Sequence, residues 1–276
     1  MKVSRGQCTG NKITFEYEKN FEQIYGFDLV VEENMKETYW NGFKRIDFSF
    51  EGKDAILVFP KNANSNKNWI LKTEYFEDFP DFQIKMLEIG WHLAYVKNQT
   101  RWCLEEDVDR KKKFCDFLNK KYGLYEKCIP VGMSCGGLIA VKFAAKYPQC
   151  VSALYLDAPV MNFLSCPAAI GRADNTEEML SEFFESTGIT LSQLISYREH
   201  PIDKMHLILK NKLPVIMVCG DQDTVVPYHE NGALLEKYYR ENGGYIEVFV
   251  KRGCGHHPHG LPDNTPIVKF IEKFCL

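Results

Sequence analysis

The stretch KCIPVGMSCGGLIAVKFAAKYP, Lys127 to Pro148, decides how the rest of the chain is read. Its first residues form a short apolar run, and its last dozen place Leu138, Val141, Ala145 and their neighbours at helical spacing. Between them lies Gly132-Met133-Ser134-Cys135-Gly136, a GxSxG pattern at a strand-to-helix turn. A turn this sharp holds its serine in a strained backbone conformation, and side chains two residues before and two after would collide, so glycines are needed there. That arrangement presents Ser134 as a nucleophile at the top of a sheet. A turn without chemistry, or a glycine loop that cradles phosphate, remains the competing reading.

Working outward from the turn, the same alternation repeats in both directions. Upstream, DAILVFP (54–60) and WHLAYVKN (91–98) are continuous apolar runs, as expected of strands buried on both faces. Between them DFQIKMLEIG predicts a helix stopped by Gly90; after the second run LEEDVDRKKKFCDFLNKKYG predicts a helix carrying Phe114, Cys115, Leu118 and Tyr122 on one face, stopped by Gly123. Downstream come the strand VSALYLDAP, the strand LPVIMVCG, the helix ENGALLEKYYRENGG, the strand YIEVFVK and the helix TPIVKFIEKF. Buried strands alternating with helices imply an α/β protein with a mostly parallel central sheet covered on both faces. KITFEYE, FDLVVEE and GFKRIDFSFEG alternate apolar with polar residues and predict an antiparallel N-terminal edge. Residues 161–212 interrupt the alternation with the helical stretches NTEEMLSEFFES and HPIDKMHLILKNK. The interruption is too long for an ordinary connection and predicts a small helical cap within a single domain, 1–276.

A serine hydroxyl needs a base to take its proton and an acid to hold that base, in the chain order Ser, acid, His. VCGDQDTVVP offers Asp223, with Asp221 two residues earlier, just past a buried strand; Asp157, ending the strand ALYLDAP, is a further candidate or a loop anchor. KRGCGHHPHGL offers His256, His257 and His259. Gly255 gives the loop room to bring an imidazole over the turn, which favours His256, with His257 as the alternative. Metal binding by these histidines is not expected, because adjacent side chains diverge and no further ligand stands at zinc-like spacing. His92, His200, His206 and His229 are expected to be packed or solvated. An oxyanion needs two backbone donors: one is the amide of Cys135, at the positive end of its helix. The second is expected from the loop FPKNANSNKNW after the third strand, at Asn62 or Lys61, with Asn62 preferred.

Composition excludes several function classes. The chain has 276 residues, 34 basic and 37 acidic, for a net charge of −3. Without a basic face, nucleic acid is not an expected ligand. The polar start MKVSRGQCTGNKITF lacks a signal-peptide core, and no apolar run reaches the length of a membrane span, so a cytoplasmic protein without a membrane partner is expected. The ten cysteines form no CxxC pair and mostly sit in apolar runs, where reduced thiols are expected.

With Ser134, an acid and His256 in that order on alternating elements, residues 45–275 resemble the α/β-hydrolase superfamily. Asp223 is favoured over Asp157 because Gly220-Asp221-Gln222-Asp223-Thr224-Val225-Val226-Pro227 is similar to the acid loop of those enzymes. YLDAPV, CGDQDTVVPYHEN and GCGHHPHGL further resemble a bacterial serine esterase group in which a GHHPH segment carries the triad histidine. Members of that group commonly have Arg after the nucleophile and a Trp-Pro step in the cap, where this chain has Cys135 and Ser165-Cys166-Pro167. The resemblance implies cofactor-free hydrolysis of a small or oligosaccharide-linked ester through an acyl-enzyme. Trp69, Tyr75, Phe163, Phe183 and Phe184 are aromatic candidates for a pocket wall or for core, with Trp69 and Phe163 taken as substrate-binding. A peptidase, an acyltransferase and a non-catalytic ligand-binding protein are the competing functions. Oligomeric state is not legible.

Overall fold

The computed structural model describes residues 35–174 and 176–275. The predicted strands KITFEYE and FDLVVEE lie outside them. Among the described residues nine strands form one sheet: β1 (Lys36–Trp40), β2 (Phe43–Phe50), β3 (Lys53–Val58), β4 (Trp69–Lys72), β5 (His92–Val96), β6 (Ile129–Met133), β7 (Leu154–Asp157), β8 (Val215–Gly220) and β9 (Ile246–Lys251). Their order is β1-β2-β3-β5-β4-β6-β7-β8-β9. The β1, β2, β3 and β5 neighbours pair antiparallel, and every pair from β5 through β4 to β9 is parallel. β4, β5, β6, β7 and β8 are buried along their whole length, which is why β5, β6, β7 and β8 read as largely apolar runs.

Helices cover both faces, and the sheet separates two hydrophobic clusters. On one face α1 (Asp81–Glu88) and α8 (Thr265–Phe274) contribute Phe82, Met86, Ile267 and Ile271. On the other, α2 (Glu105–Tyr122), α3 (Cys135–Lys146) and α7 (Gly232–Glu241) contribute Phe114, Leu118, Leu138, Phe143 and Tyr239. Gly123 ends α2 with φ 66°, a left-handed conformation open to glycine.

Between β7 and β8 the chain forms α4 (Glu177–Thr187), α5 (Leu191–Ser196) and α6 (Met205–Lys210). Phe183, Leu194 and Ile208 of these helices are fully buried in the same cluster as α3, so this insertion shares the core of the sheet. Among the described residues no helix is long and apolar enough to cross a membrane.

One strand was absent from the sequence reading, and it displaces a predicted site residue. β4 lies between β5 and β6, so the loop that faces the serine turn is the one following β4, at residues 73–75. Residues 59–68 instead connect the end of β3 to the beginning of β4, at the opposite edge of the parallel strands. The carbonyl of Asn62 lies against Gly90, and the Asn64 amide bonds to the Gly90 carbonyl at 3.0 Å, just before β5 begins. Asn62 and Lys61 therefore stand a strand length from Ser134 and cannot donate to an oxyanion there.

Candidate active site

Ser134 joins β6 to α3 with φ 52° and ψ −121°, a conformation that costs free energy and needs surrounding backbone to hold it. Its amide donates to the Asp157 carbonyl at 2.9 Å, and its carbonyl accepts from Gly137 and Val160. A Cβ on Gly132 would sit 2.4 Å from the Gly136 carbonyl oxygen, and one on Gly137 would sit 2.4 Å from the Pro159 side chain. Gly136 is less constrained, with Thr73 Oγ1 at 3.1 Å from its added Cβ. The tightest contacts thus fall on the first and last glycines of GMSCGG.

The turn aims Ser134 at the loop after β9. His256 Nε2 lies 3.1 Å from Ser134 Oγ, and His256 Nδ1 lies 2.8 Å from Asp223 Oδ2. The second Asp223 oxygen accepts from the Val225 and Val226 amides at 2.9 and 2.8 Å, which fixes the carboxylate. Asp223 and His256 are buried, so this pairing forms out of bulk water, where charge-assisted bonds are strong. The structure therefore brings Ser134, His256 and Asp223 into one chain of contacts.

Asp157 is engaged elsewhere. Its Oδ1 lies 2.7 Å from His259 Nδ1, and its Oδ2 accepts from the Gly260 amide at 2.7 Å and from the Tyr155 hydroxyl at 3.0 Å. It anchors the histidine loop as a second carboxylate–imidazole pair beside the first. Asp221 accepts from the Gly253 amide at 2.6 Å and holds the other end of that loop.

The expectation that neighbouring histidines diverge fails. The loop turns so tightly that the rings of His256, His257 and His259 stand 4.8 to 5.1 Å apart, centre to centre. His257 stacks on Phe79 at 5.5 Å, and burial followed by the two flanking imidazoles pushes its pKa down.

Ser134 opens into a cavity of about 240 Å³ whose wall includes Tyr75, Phe79, Arg101, Met179 and His259. A larger hollow of about 740 Å³ lies over β2, β3 and β5 and shares Tyr75 and Asp78 with the first. No histidine lines it, whereas the smaller cavity has both Ser134 and His256 on its wall.

Two predicted pocket residues are core. Trp69, at the start of β4, is 1% exposed and donates from Nε1 to the Tyr125 carbonyl at 2.8 Å. It sits at the edge of the sheet away from Ser134, because β4 begins where its loop ends. Phe163 is also 1% exposed and packs on Phe183 and His200 at 5.1 and 5.3 Å. Burial of both rings in the core leaves neither for a ligand.

Cys135 starts α3, so its amide has no acceptor within the helix and faces the turn. Burial pushes its thiol pKa up to about 11, which keeps the sulfur protonated and poorly nucleophilic. The thiol faces the Tyr75 hydroxyl and the Arg101 guanidinium, which comes from the segment between β5 and α2 and is paired with Glu182. Beneath the site, fully buried Lys72 donates to the Asp78 carbonyl at 3.0 Å and to Met133 Sδ at 3.2 Å. Burial lowers its pKa to about 7.

Sequence reasoning did not single out Arg101, Phe79 and Met179, which come from three unrelated segments with no spacing in common.

The prolyl oligopeptidase family matches residues 93–273, a span that contains Ser134, Asp223 and His256. No curated protein matches the chain. Among solved structures, the chain is similar to an acetyl xylan esterase from Paenibacillus sp. R4, with a TM-score of 0.65 at 13% identity, covering 98% of this chain and 97% of that one. It is also similar to Est1E from Butyrivibrio proteoclasticus, with a TM-score of 0.57 at 17% identity, covering 87% and 98%. An acylaminoacyl peptidase from Pyrococcus horikoshii gives a TM-score of 0.63 at 14% identity, covering 93% of this chain, which spans only 43% of that peptidase. At these identities the likeness is one of fold. With the family model matched over residues 93–273, more than half of the chain, the chain belongs to the prolyl oligopeptidase family and is a serine hydrolase of the α/β-hydrolase type.

Proposed function

We propose that this hydrolase cleaves carboxylic esters through an acyl-enzyme on Ser134, with His256 as base and then acid and Asp223 holding the imidazole. The observation that carries the reading is the unbroken sequence of contacts from Ser134 Oγ to His256 Nε2 at 3.1 Å and from His256 Nδ1 to Asp223 at 2.8 Å. With the Nδ1 proton on the Asp223 side, Nε2 keeps its lone pair for the serine proton. Ser134 then attacks the carbonyl, His256 delivers the proton to the leaving alcohol, and water repeats the sequence to release the acid.

One oxyanion donor is the Cys135 amide. The second is the Tyr75 amide, in the turn after β4. That turn is fastened to the elbow helix by Thr73 Oγ1, which donates to the Gly136 carbonyl at 2.7 Å. The Tyr75 N–H has only a long 3.4 Å contact with the neighbouring Glu74 carboxylate, so it is free to turn to a stronger acceptor. Each such donor is worth roughly a hundredfold or more in rate.

A cavity of about 240 Å³ suits a small acyl group better than an extended peptide. The hollow next to it has a mainly apolar wall on which Arg45, Asp47 and Lys97 offer hydrogen-bonding groups, which supports a sugar as the alcohol portion. Acetyl, methyl and feruloyl esters of sugars are the substrates to screen. A peptidase is the second reading, favoured by the family itself.

The test is a paired assay with p-nitrophenyl acetate and aminoacyl p-nitroanilides. Ester turnover that falls at least about a thousandfold in Ser134→Ala, with the fold retained, is the expected result. Anilide cleavage exceeding ester cleavage would transfer the assignment to peptidase, and full ester turnover in Ser134→Ala would remove the nucleophile.

A further inference from the structure

His256, His257 and His259 form a triangle of imidazoles on the wall of the active-site cavity. Their centroids are 4.8, 5.0 and 5.1 Å apart, and their planes meet at 70°, 79° and 86°. One ring nitrogen from each lies within 4.8 Å of those of the other two. In two of the rings Nδ1 is already taken by a buried carboxylate, Asp223 for His256 at 2.8 Å and Asp157 for His259 at 2.7 Å. Handing the second N–H to a carboxylate is how a metal-ligating imidazole is oriented and made more basic. It leaves Nε2 as the nitrogen without a carboxylate partner in both. His257 is exposed and held by stacking on Phe79, so it can swing at little cost.

We propose that these three imidazoles bind one divalent transition cation of the zinc type, and that binding stops hydrolysis. In tetrahedral coordination, nitrogens about 2.1 Å from the ion stand about 3.4 Å from one another. Closing from 4.8 Å needs side-chain rotation of roughly an ångström, within reach of the exposed His257. Neutral imidazoles suit zinc, cobalt and nickel rather than magnesium or calcium. The carboxylates of Asp223 and Asp157 behind the rings, and Asp78 on the same cavity wall, offset the ion's charge. Ser134 Oγ stands 3.1 Å from His256 Nε2, the nitrogen this ion takes. A lone pair on Nε2 that binds the ion cannot accept the serine proton, so the site works as a reversible block. The inhibitory half rests on the esterase reading, whereas binding does not.

The test uses the full chain, stripped with a chelator and titrated with Co2+ by absorption spectroscopy and with Zn2+ by calorimetry. One ion per chain is expected, with a dissociation constant on the order of 10 µM or below. Visible bands of a tetrahedral nitrogen site are expected, without the thiolate charge transfer that cysteine ligation would add. His257→Asn, on an exposed ring, and His259→Asn should each weaken binding by about tenfold or more. Zn2+ should inhibit ester hydrolysis over the concentration range in which it binds, and the chelator should restore activity. Thiolate bands, unchanged affinity in both variants, or no binding below about 1 mM would overturn the site. Binding without inhibition would overturn the block. Should the wild type fail to hydrolyse any ester, the Co2+ spectrum still decides the site independently of the esterase reading.

Discussion

Asp223→Asn is the substitution that most sharply tests the assignment of the acid. Asparagine has the same size, so the Val225 and Val226 amides, 2.9 and 2.8 Å from Oδ1, keep a carbonyl acceptor. The other atom changes from acceptor to donor, and it faces His256 Nδ1 at 2.8 Å. Two donors cannot share that contact, so the imidazole takes the tautomer with its proton on Nε2. Nε2 then donates to Ser134 Oγ across 3.1 Å instead of accepting from it. The loss is the base itself, and kcat for p-nitrophenyl acetate should fall about 10⁴-fold, equivalent to about 5.5 kcal/mol of transition-state stabilisation. Asp157→Asn is the control. It removes one charge-assisted bond to His259 and weakens the loop by about 1–3 kcal/mol, but leaves the Ser134–His256–Asp223 contacts in place. Its kcat should stay within about tenfold of wild type. Steady-state rates with melting curves on both variants decide the matter. Equal losses in the two variants, or a tenth of wild-type turnover surviving in Asp223→Asn, would refute the reasoning.

Trp69→Ala and Phe163→Ala should behave as core truncations: each costs about 3–5 kcal/mol in denaturant unfolding, while KM for short esters in the protein that remains folded shifts by no more than about twofold. A KM rise without a stability loss would return either ring to the pocket. Lys72 gives a pH signature. Its pKa is about 7 folded against 10.5 unfolded, because burial penalises the ammonium. Between those values the unfolded chain binds the proton and the folded chain does not, so stability rises with pH across the window. The wild type should therefore gain about 2–3 kcal/mol relative to Lys72→Met between pH 7 and 9, measured by urea unfolding at each pH. Parallel stability profiles for the two proteins would show that the ammonium is not desolvated.

How much was legible depended on how local the signal was. The serine turn is read from six consecutive residues because the constraint is itself local, with Gly132 and Gly137 in contact with the turn's own backbone and its neighbour Pro159. Most of the parallel strands are legible because burial on both faces leaves few polar positions in them. The same rule explains the miss at β4. Its four residues WILK carry a lysine at a fully buried position, so the strand breaks the pattern that betrays the others. Losing one strand shifted the loop count by one and moved the expected oxyanion donor to Asn62, at the wrong edge of the sheet. Trp69 and Phe163 were misplaced for a different reason. An aromatic near a motif in sequence can be core or wall, and only the direction of its strand or loop decides. The histidine triangle was hidden in plain text, since the turn that folds His257 back toward its neighbours is set by contacts with Asp157 and Phe79, remote in the chain.

Those remote contacts also explain why three loops hold one geometry. A Cβ on Gly220, at the end of β8, would lie 2.3 Å from the carbonyl oxygens of both Cys254 and Gly255, so the acid strand and the histidine loop touch backbone to backbone. The Gln222 amide bonds the Cys254 carbonyl at 2.9 Å, and Asp221 bonds the Gly253 amide at 2.6 Å. The acid loop therefore grips the base loop on the upstream side of His256. On the downstream side Asp157 grips His259 and Gly260, while its own carbonyl accepts from the Ser134 amide at 2.9 Å. One residue at the end of β7 thus fixes the strained serine through its backbone and the histidine loop through its side chain. Ser134 and the His256 loop are positioned from a common buried point, and the Asp223 loop is attached to the histidine loop by a separate set of bonds. This division lets Asp157 matter to the site without touching the reacting atoms, and it separates the effects of the two aspartates in a way that sequence order alone does not.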